Sequence, residues 1–335
     1  MRLSPSMLFD RIYKLQVGKR GQTKGVEITQ LKITFSIAKT AKKNPNSCTV
    51  TVWNLAKATR EKFEEPNGRL VLYAGYKEDV GPIMIFQGNV TSANTERDGA
   101  DIKTTFELAD GYRELRDSTI SVGYAEGINS KQMLQDVSKS LDMPLTLPDD
   151  APARVWQNGF TYYGSSRVLL DKIVNATNLE WSVQNGEVQV IEKEGVTNRR
   201  GVLISSHSGM VKSPVRVKQA KVQKAGTKTE VIPNAESDSG WKVTTLLMPG
   251  INPGDRVILE SLSANGIFRV ESITHKGDSH GGDWHSELTI VDPKKPIGDG
   301  APKGKSKKSL VVAPTIGDPY SGDWDRPEEE GLLTR

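Results

Sequence analysis

The chain has 335 residues, 36% hydrophobic and 26% charged, enough for two or three domains with separate cores. Its 45 basic and 41 acidic residues leave a formal charge of +4. That near balance, with six lysines against one aspartate gathered in 294–308, is not the folded basic face with stacking aromatics that nucleic acid requires. The single cysteine, Cys48, excludes an internal disulfide framework and a multi-cysteine zinc cluster. No run approaches the roughly 18 apolar residues of a membrane span. The opening MRLSPSMLFDRIYKLQVG has no apolar signal core, so the expectation is a protein that stays in the cytoplasm where it is made.

Residues 22–115 read as β structure. LKITFSIAKT (31–40) alternates Leu31, Ile33, Phe35 and Ile37 with polar partners, CTVTVWNL (48–55) does the same, and GRLVLYAGY (68–76) is a further strand. LAKATREKFEE predicts a short helix between the last two. PIMIFQGNVTSAN and ADIKTTFELAD predict two strands joined by the turn-rich TERDG. The pattern then changes. NSKQMLQDVSKSLDM (129–143) puts Met133, Leu134, Val137 and Leu141 on one helical face, with Asn129 or Ser130 as the N-cap. SSRVLLDKIVNATN (165–178) predicts a second helix, and Asn185-Gly186 marks a tight hairpin between two short strands. From about 200 to 292 strands return. The segment after Asp292, rich in proline, glycine and lysine and ending in the acidic DWDRPEEE, has almost nothing to bury.

The strands repeat. IFQGNVTSANTERDGADIKTTFELAD (85–110) aligns without a gap on IFRVESITHKGDSHGGDWHSELTIVD (267–292) at an offset of 182, matching Ile85 with Ile267, Phe86 with Phe268, Gly99 with Gly281, Asp101 with Asp283 and Asp110 with Asp292. Upstream, PNGRLVL (66–72) resembles PGDRVIL (253–259).

Candidate chemistry is sparse. THKGDSHGGDWH (274–285) contains His275, His280 and His285, three of the four histidines, which with Asp278 could supply nitrogen and carboxylate ligands to zinc. The spacing fits no zinc pattern, and the alignment places Ala93, Asp98 and Lys103 at those positions in the first copy. The favoured reading is a polar interface loop, with no metal, cofactor or catalytic residue assigned. No phosphate-binding loop, dinucleotide fingerprint, nucleophile elbow or CxxC occurs. Glu64-Glu65 and Asp149-Asp150 lie in charged or proline-flanked loops. His207 in SSHSG supports no triad, and Trp53, Tyr73, Tyr76 and Phe86 read as core.

SCTVTVWNLAKATREKF followed by LVLYAGY and IFQGNV resembles the first tube-like β domain of hub proteins from contractile phage tails. NPGDRVILES with GIFRVESITHKGDSHGGDWHSELT resembles the second such domain, as in baseplate hub and late control D-type proteins and the base of type VI secretion spikes. The likeness covers roughly residues 8–292 and brings no catalytic motif. It implies a virion protein of the tail baseplate: a non-enzymatic homotrimeric ring whose six similar units join a six-fold tail tube to a three-fold spike. Its partners would be itself, the spike, a tube or tube-initiator protein and a tape measure protein, without membrane insertion. The expected fold is β-rich α+β, with two similar tube-like β-barrel domains (1–117 and 199–293), a small α+β domain between them (118–198) and a flexible C-terminal tail (294–335). The competing expectation is a cell-envelope hydrolase of the tail tip, metal-dependent through the 275–285 histidines.

Overall fold

A computed structural model describes residues 10–19, 25–64, 68–225, 228–293, 317–318 and 322–323. The expected tail lies outside the described residues, apart from the pairing of Gly317–Asp318 with Gly322–Asp323. The fold is β-rich, as its alternating patterns predict.

The first strand set comprises β1 (Arg11–Lys19), β2 (Val26–Ile28), β3 (Ile33–Thr40), β4 (Ser47–Trp53), the helix α1 (Lys57–Glu64), β5 (Gly68–Tyr76), β6 (Gly81–Asp98) and β7 (Asp101–Ala109). β3 shows why the period matters: Ile33, Phe35, Ile37 and Lys39 face inward, while Ser36 and Ala38 are exposed. Two expectations need correction. β1 begins ahead of the stretch read as β structure. TERDG is not the connection either, because β6 runs through Asp98 and only Gly99-Ala100 turns.

The middle of the chain holds α2 (Tyr112–Asp117), β8 (Thr119–Tyr124), β9 (Ile128–Asn129), α3 (Ser130–Leu141), β10 (Leu145–Thr146), β11 (Val155–Trp156), β12 (Phe160–Ser165), α4 (Ser166–Ala176), β13 (Leu179–Gln184) and β14 (Glu187–Glu192). Asn129 is the N-cap of α3, its side chain accepting from the Lys131 amide at 2.8 Å. Asn185 and Gly186 both have positive φ, as the tight β13–β14 hairpin demands. The last strand set is β15 (Val202–Ile204), β16 (Met210–Ala225), β17 (Lys228–Leu246), β18 (Arg256–Glu260), β19 (Asn265–Asp278) and β20 (Trp284–Val291).

Three separate apolar clusters form. One gathers Leu15, Ile37, Val50, Leu72, Phe86 and Phe106; a second Met133, Val137, Leu169 and Trp181; a third Val243, Val257, Val270 and Leu288. The first and third sit on one 13-stranded sheet. Its path runs β16-β17-β20-β19-β3-β4-β7-β6-β5-β1-β2, with β18 and β15 attached through β19.

That path repeats a connectivity: β3-β4-β7-β6-β5 has its counterpart in β16-β17-β20-β19-β18. In both hairpins one residue bulges at the same point of the ladder, Thr91 between Val90 and Ser92, Glu271 between Val270 and Ser272, opposite Glu107-Leu108 and Thr289-Ile290. The ladders also correct the gapless alignment. β7 and β20 differ by 182, but β6 and β19 differ by 180, because the second turn has four residues, Ser279 to Gly282, where the first has two. The Ile-Phe match is therefore a coincidence of sequence. Phe86 stands opposite Leu72 and Gly88 opposite Leu70, whereas Gly266 stands opposite Leu259 and Phe268 opposite Val257. One copy holds phenylalanine then glycine, the other glycine then phenylalanine, and in each the ring lies beside its glycine.

Gly88 has room for no side chain. A Cβ there would lie 2.8 Å from the Phe86 ring and 2.9 Å from the Ala109 carbonyl oxygen. Gly88→Ala is expected to destabilise the protein by about 1–3 kcal/mol through overpacking, read as a lower midpoint in denaturant with unchanged slope.

Candidate functional site: an assembly seam

The two strand sets meet where β3 pairs with the outer half of β19, from Thr34 opposite Asp278 to Thr40 opposite Ser272. The histidine-bearing hairpin is the clasp of this seam. At its tip the Ile33 amide donates to Ser279 Oγ (2.9 Å) and the Ser279 amide donates to the Ile33 carbonyl (3.0 Å). Arg11 donates to the carbonyls of Asp278 (3.2 Å) and Gly282 (3.1 Å), and its guanidinium lies 5.7 Å from the Trp284 ring centroid. Trp284 itself belongs to the first core and meets Phe35 edge to face at 5.5 Å. Gly277 permits this contact, because a Cβ there would sit 2.2 Å from Phe35.

The three histidines occupy three environments. His275 is fully buried and shares a 2.8 Å hydrogen bond with Ser286 Oγ, its cross-strand neighbour. His280 is exposed at the tip beside Ser279. His285 pairs with Lys276, so strand alternation sends it to the opposite sheet face from His275, near Glu287 (3.4 Å) and Asp283 (3.4 Å). His275 and His285 therefore do not approach each other across the strands, and they form no shared ligand set. Among the described residues no group of three His, Cys, Asp or Glu side chains is placed to hold a metal ion. The repeat explains the buried histidine: Thr95 and Thr104 form the equivalent cross-strand pair, 3.2 Å apart, so His275 answers to Thr95 and not to Ala93.

Where the middle segment meets the two strand sets, the contacts turn polar. Lys39 of β3 is fully buried and donates to Asn185 Oδ1 (2.8 Å) in the β13–β14 turn and to Asn252 Oδ1 (2.9 Å) ahead of β18. Asp110, at the end of β7, accepts from the Gly186 amide at 2.8 Å. Asn46 donates to the Val183 carbonyl (2.6 Å) and Gln184 to the Thr40 carbonyl (2.9 Å), while Gln189 donates to the Pro253 carbonyl (2.9 Å). Asp255 accepts from Thr197 (2.7 Å), the Asn252 amide (2.9 Å) and Arg199 (3.3 Å). Beside this joint opens a cleft of about 1050 Å³ lined in part by Arg69, Arg199 and Glu187.

Burial dominates the titration of the joint. It lowers Lys39 to about 8 against the opposing pull of Asp110 and Asp255, and raises Asp110 to about 7 against the pull of Lys39. His275 is held well below its usual value by burial and then by the Lys39 charge. Asp255 is raised by burial, which Arg199 and its hydrogen bonds offset in part.

The remaining candidates have structural roles. Burial pushes the Cys48 thiol upward, away from reactivity. Asp149 and Asp150 are exposed in a turn, and Glu64-Glu65 falls outside the described side chains. His207 is exposed, its amide donating to Ser205 Oγ in a serine-rich turn. Tyr76 and Phe86 are core as expected. Trp53 and Tyr73 are only half-buried, with Lys32 and Lys14 stacked over their rings at 4.6 and 4.5 Å. No helix of the described residues is long and apolar enough to cross a membrane.

A family model described as baseplate hub gp41 matches residues 14–223. No curated protein matches the sequence. Among solved structures, the chain is similar to the 43 kDa tail protein of prophage MuSo2 from Shewanella oneidensis, with a TM-score of 0.56, 12% identity, and 85% of this chain and 99% of that one covered. It is also similar to the tail protein from Neisseria meningitidis MC58, at 0.55, 11%, 84% and 96% in the same order. The Francisella PdpA-VgrG complex in its lidded form gives 0.50, 10%, 90% and 55%. At these identities the likeness is one of fold.

Two changes test the joint. Lys39→Met leaves the buried Asp110 without its cation and is expected to cost about 3–5 kcal/mol, with part of the loss regained in Lys39→Met/Asp110→Asn, measured by denaturant unfolding. His275→Thr restores the pairing chemistry of the first copy. A histidine whose folded pKa is depressed contributes stability that is lost as pH falls below about 6.5, where the unfolded chain takes up the proton first. The stability of His275→Thr relative to the parent should therefore grow by up to about 1.4 kcal/mol per pH unit below that point. A pH-independent difference would rule this account out.

Proposed function

The chain belongs to the baseplate hub gp41 family, and from that membership we propose that it forms a trimeric ring joining a six-fold tail tube to a three-fold central spike. Its place is the tail baseplate of the virion, and its role there is structural. The observation that carries the finer reading is the repeated connectivity inside one sheet: each chain holds two similar strand sets joined edge to edge. Three such chains offer six similar units, so one face can match six-fold symmetry while the chain count matches three.

In this reading residues 1–117 and 199–293 are the two tube-like domains, 118–198 is the small α+β domain braced against both, and 294–335 is an appended tail. The partners are further copies of the chain, the spike, and the tube or its initiator, with the tape measure protein threading the ring. A spike contact is supported by the fold shared with a VgrG complex. The protein works without turnover: it anchors the spike, starts the tube, and leaves a passage once the spike departs. The dispersal of the histidines over two sheet faces favours this over a metal-dependent hydrolase.

Light scattering on the purified chain is expected to give three times the mass of one copy, alone at high concentration or on addition of the spike. A strict monomer under both conditions would count decisively against the ring.

A further inference from the structure

The two strand sets differ in one respect that concerns their edges. The outer half of β19, residues 272–278, is covered by β3, and there His275 and Gly277 are buried. Among the described residues the equivalent half of β6, residues 92–98, pairs only with β7, and the ladder to β5 reaches no further along β6 than Asn89, opposite Arg69. Thr91, Ser92 and every residue from Asn94 to Asp98 are exposed. At one end of the same sheet β16, the counterpart of β3, is the terminal strand among the described residues and pairs only with β17. The sheet thus presents one covered seam and, on its end strand β16 and on the part of β6 that β5 leaves uncovered, the two halves of a second one.

We propose that β16 of one copy adds to the outer half of β6 of the next copy, repeating between chains the seam that β3 and β19 make within one. This rests on the ring reading above and names the surface through which the ring would close. The ladders supply the register. Val50 opposite Phe106 corresponds to Val243 opposite Leu288, which makes Thr34, Ser36 and Ile37 the counterparts of Lys212, Val215 and Arg216. Inside the chain Asp278, Lys276 and His275 face Thr34, Ser36 and Ile37. Between chains, therefore, Asp98 faces Lys212, Glu96 faces Val215, and Thr95 faces Arg216, antiparallel.

Three features fit this occupant. The β6 segment TSANTERD carries two acids and one base, and the β16 segment MVKSPVRV two bases and no acid, so the edges are complementary in charge. Exposed apolar side chains gather on the β16 side: Val211 and Val215 on the strand, and Leu262 and Ile267 on the β18–β19 hairpin, whose Ser263 reaches the Pro214 carbonyl at 3.5 Å. Finally, an open edge of regular ladder groups is a template for another strand unless something blocks it. β16 carries its one proline, Pro214, at a break in its own ladder, where the residues between Lys212 and Val215 are skipped.

The test uses the full chain with Cys48→Ala, carrying Glu96→Cys and Val215→Cys singly and together. Facing positions on adjacent antiparallel strands lie within disulfide reach. Mild oxidation of the double variant should give covalent trimers on a non-reducing gel, and a mixture of the two single variants should give dimers and nothing larger. In parallel, Lys212→Glu should weaken association at least ten-fold, and Asp98→Lys in the same chain should restore it. A particle of trimeric mass that neither cross-links nor responds to the charge exchange would overturn this contact while leaving the ring intact. A monomer that never cross-links would overturn both.

Discussion

Lys39 sets the terms for the rest of the molecule. Its strand faces the first core, yet its ammonium group lies where the middle segment meets both strand sets, fully removed from water. A cation in that position is tolerable only when surrounding groups replace its hydration, so Asn185, Asn252, Asp110 and Asp255 must arrive from three different parts of the chain. Apolar surfaces can slide past one another with little loss. Hydrogen bonds to a buried charge cannot. The joint therefore fixes how the middle segment sits against both strand sets, and the surrounding amide contacts of Asn46, Gln184 and Gln189 extend the same directional demand.

Divergence between the two strand sets is confined to what each must touch. The bulge and the cross-strand polar pair persist, whereas the pair's chemistry changes from Thr95 and Thr104 to His275 and Ser286. The tip grows from two residues to four in the copy that has something to grip, and Ser279 and the carbonyls of Asp278 and Gly282 use the added length to hold Ile33 and Arg11. The exchange of Phe86-Gln87-Gly88 for Gly266-Ile267-Phe268 shows the same economy. An aromatic ring beside a glycine fills the strand's inner face from either side, so the order of the two is free to reverse.

Much of this was legible in the sequence because period and turn chemistry are local. The alternation in β3, the helical spacing of Met133, Leu134, Val137 and Leu141, and the Asn185-Gly186 turn each predict their element from neighbours alone. The repeat was legible as well, but not its register. An ungapped comparison rewards the accidental Ile-Phe match and cannot detect a two-residue difference in a turn. Lys39 also carries a local signal: it falls in phase with Ile33, Phe35 and Ile37, which places a charge on the buried face of its strand. What no local pattern supplies is its hydrogen-bond partners, Asn185 and Asn252, which come from more than a hundred residues away.

A sheet in which one strand connectivity recurs edge to edge has two unlike ends, and repeated application of the same join must either close or continue as a helix. The β3–β19 seam fixes that operation once for every chain. If the external seam copies the internal one, closure after six units requires a turn of about 60° at each join, and three chains complete the circle. In the proposed ring the external join forms between separate molecules and so bears the cost of association, while the internal one is held by the covalent chain and by the joint around Lys39. That asymmetry gives a physical reason for the division of labour seen in the residues. The internal seam is deeply buried, with His275 and Trp284 shielded from water, whereas the two free edges carry opposite charge and modest apolar surface. Opposite charge on the two edges is what the proposed contact needs to select one orientation over like-with-like pairing.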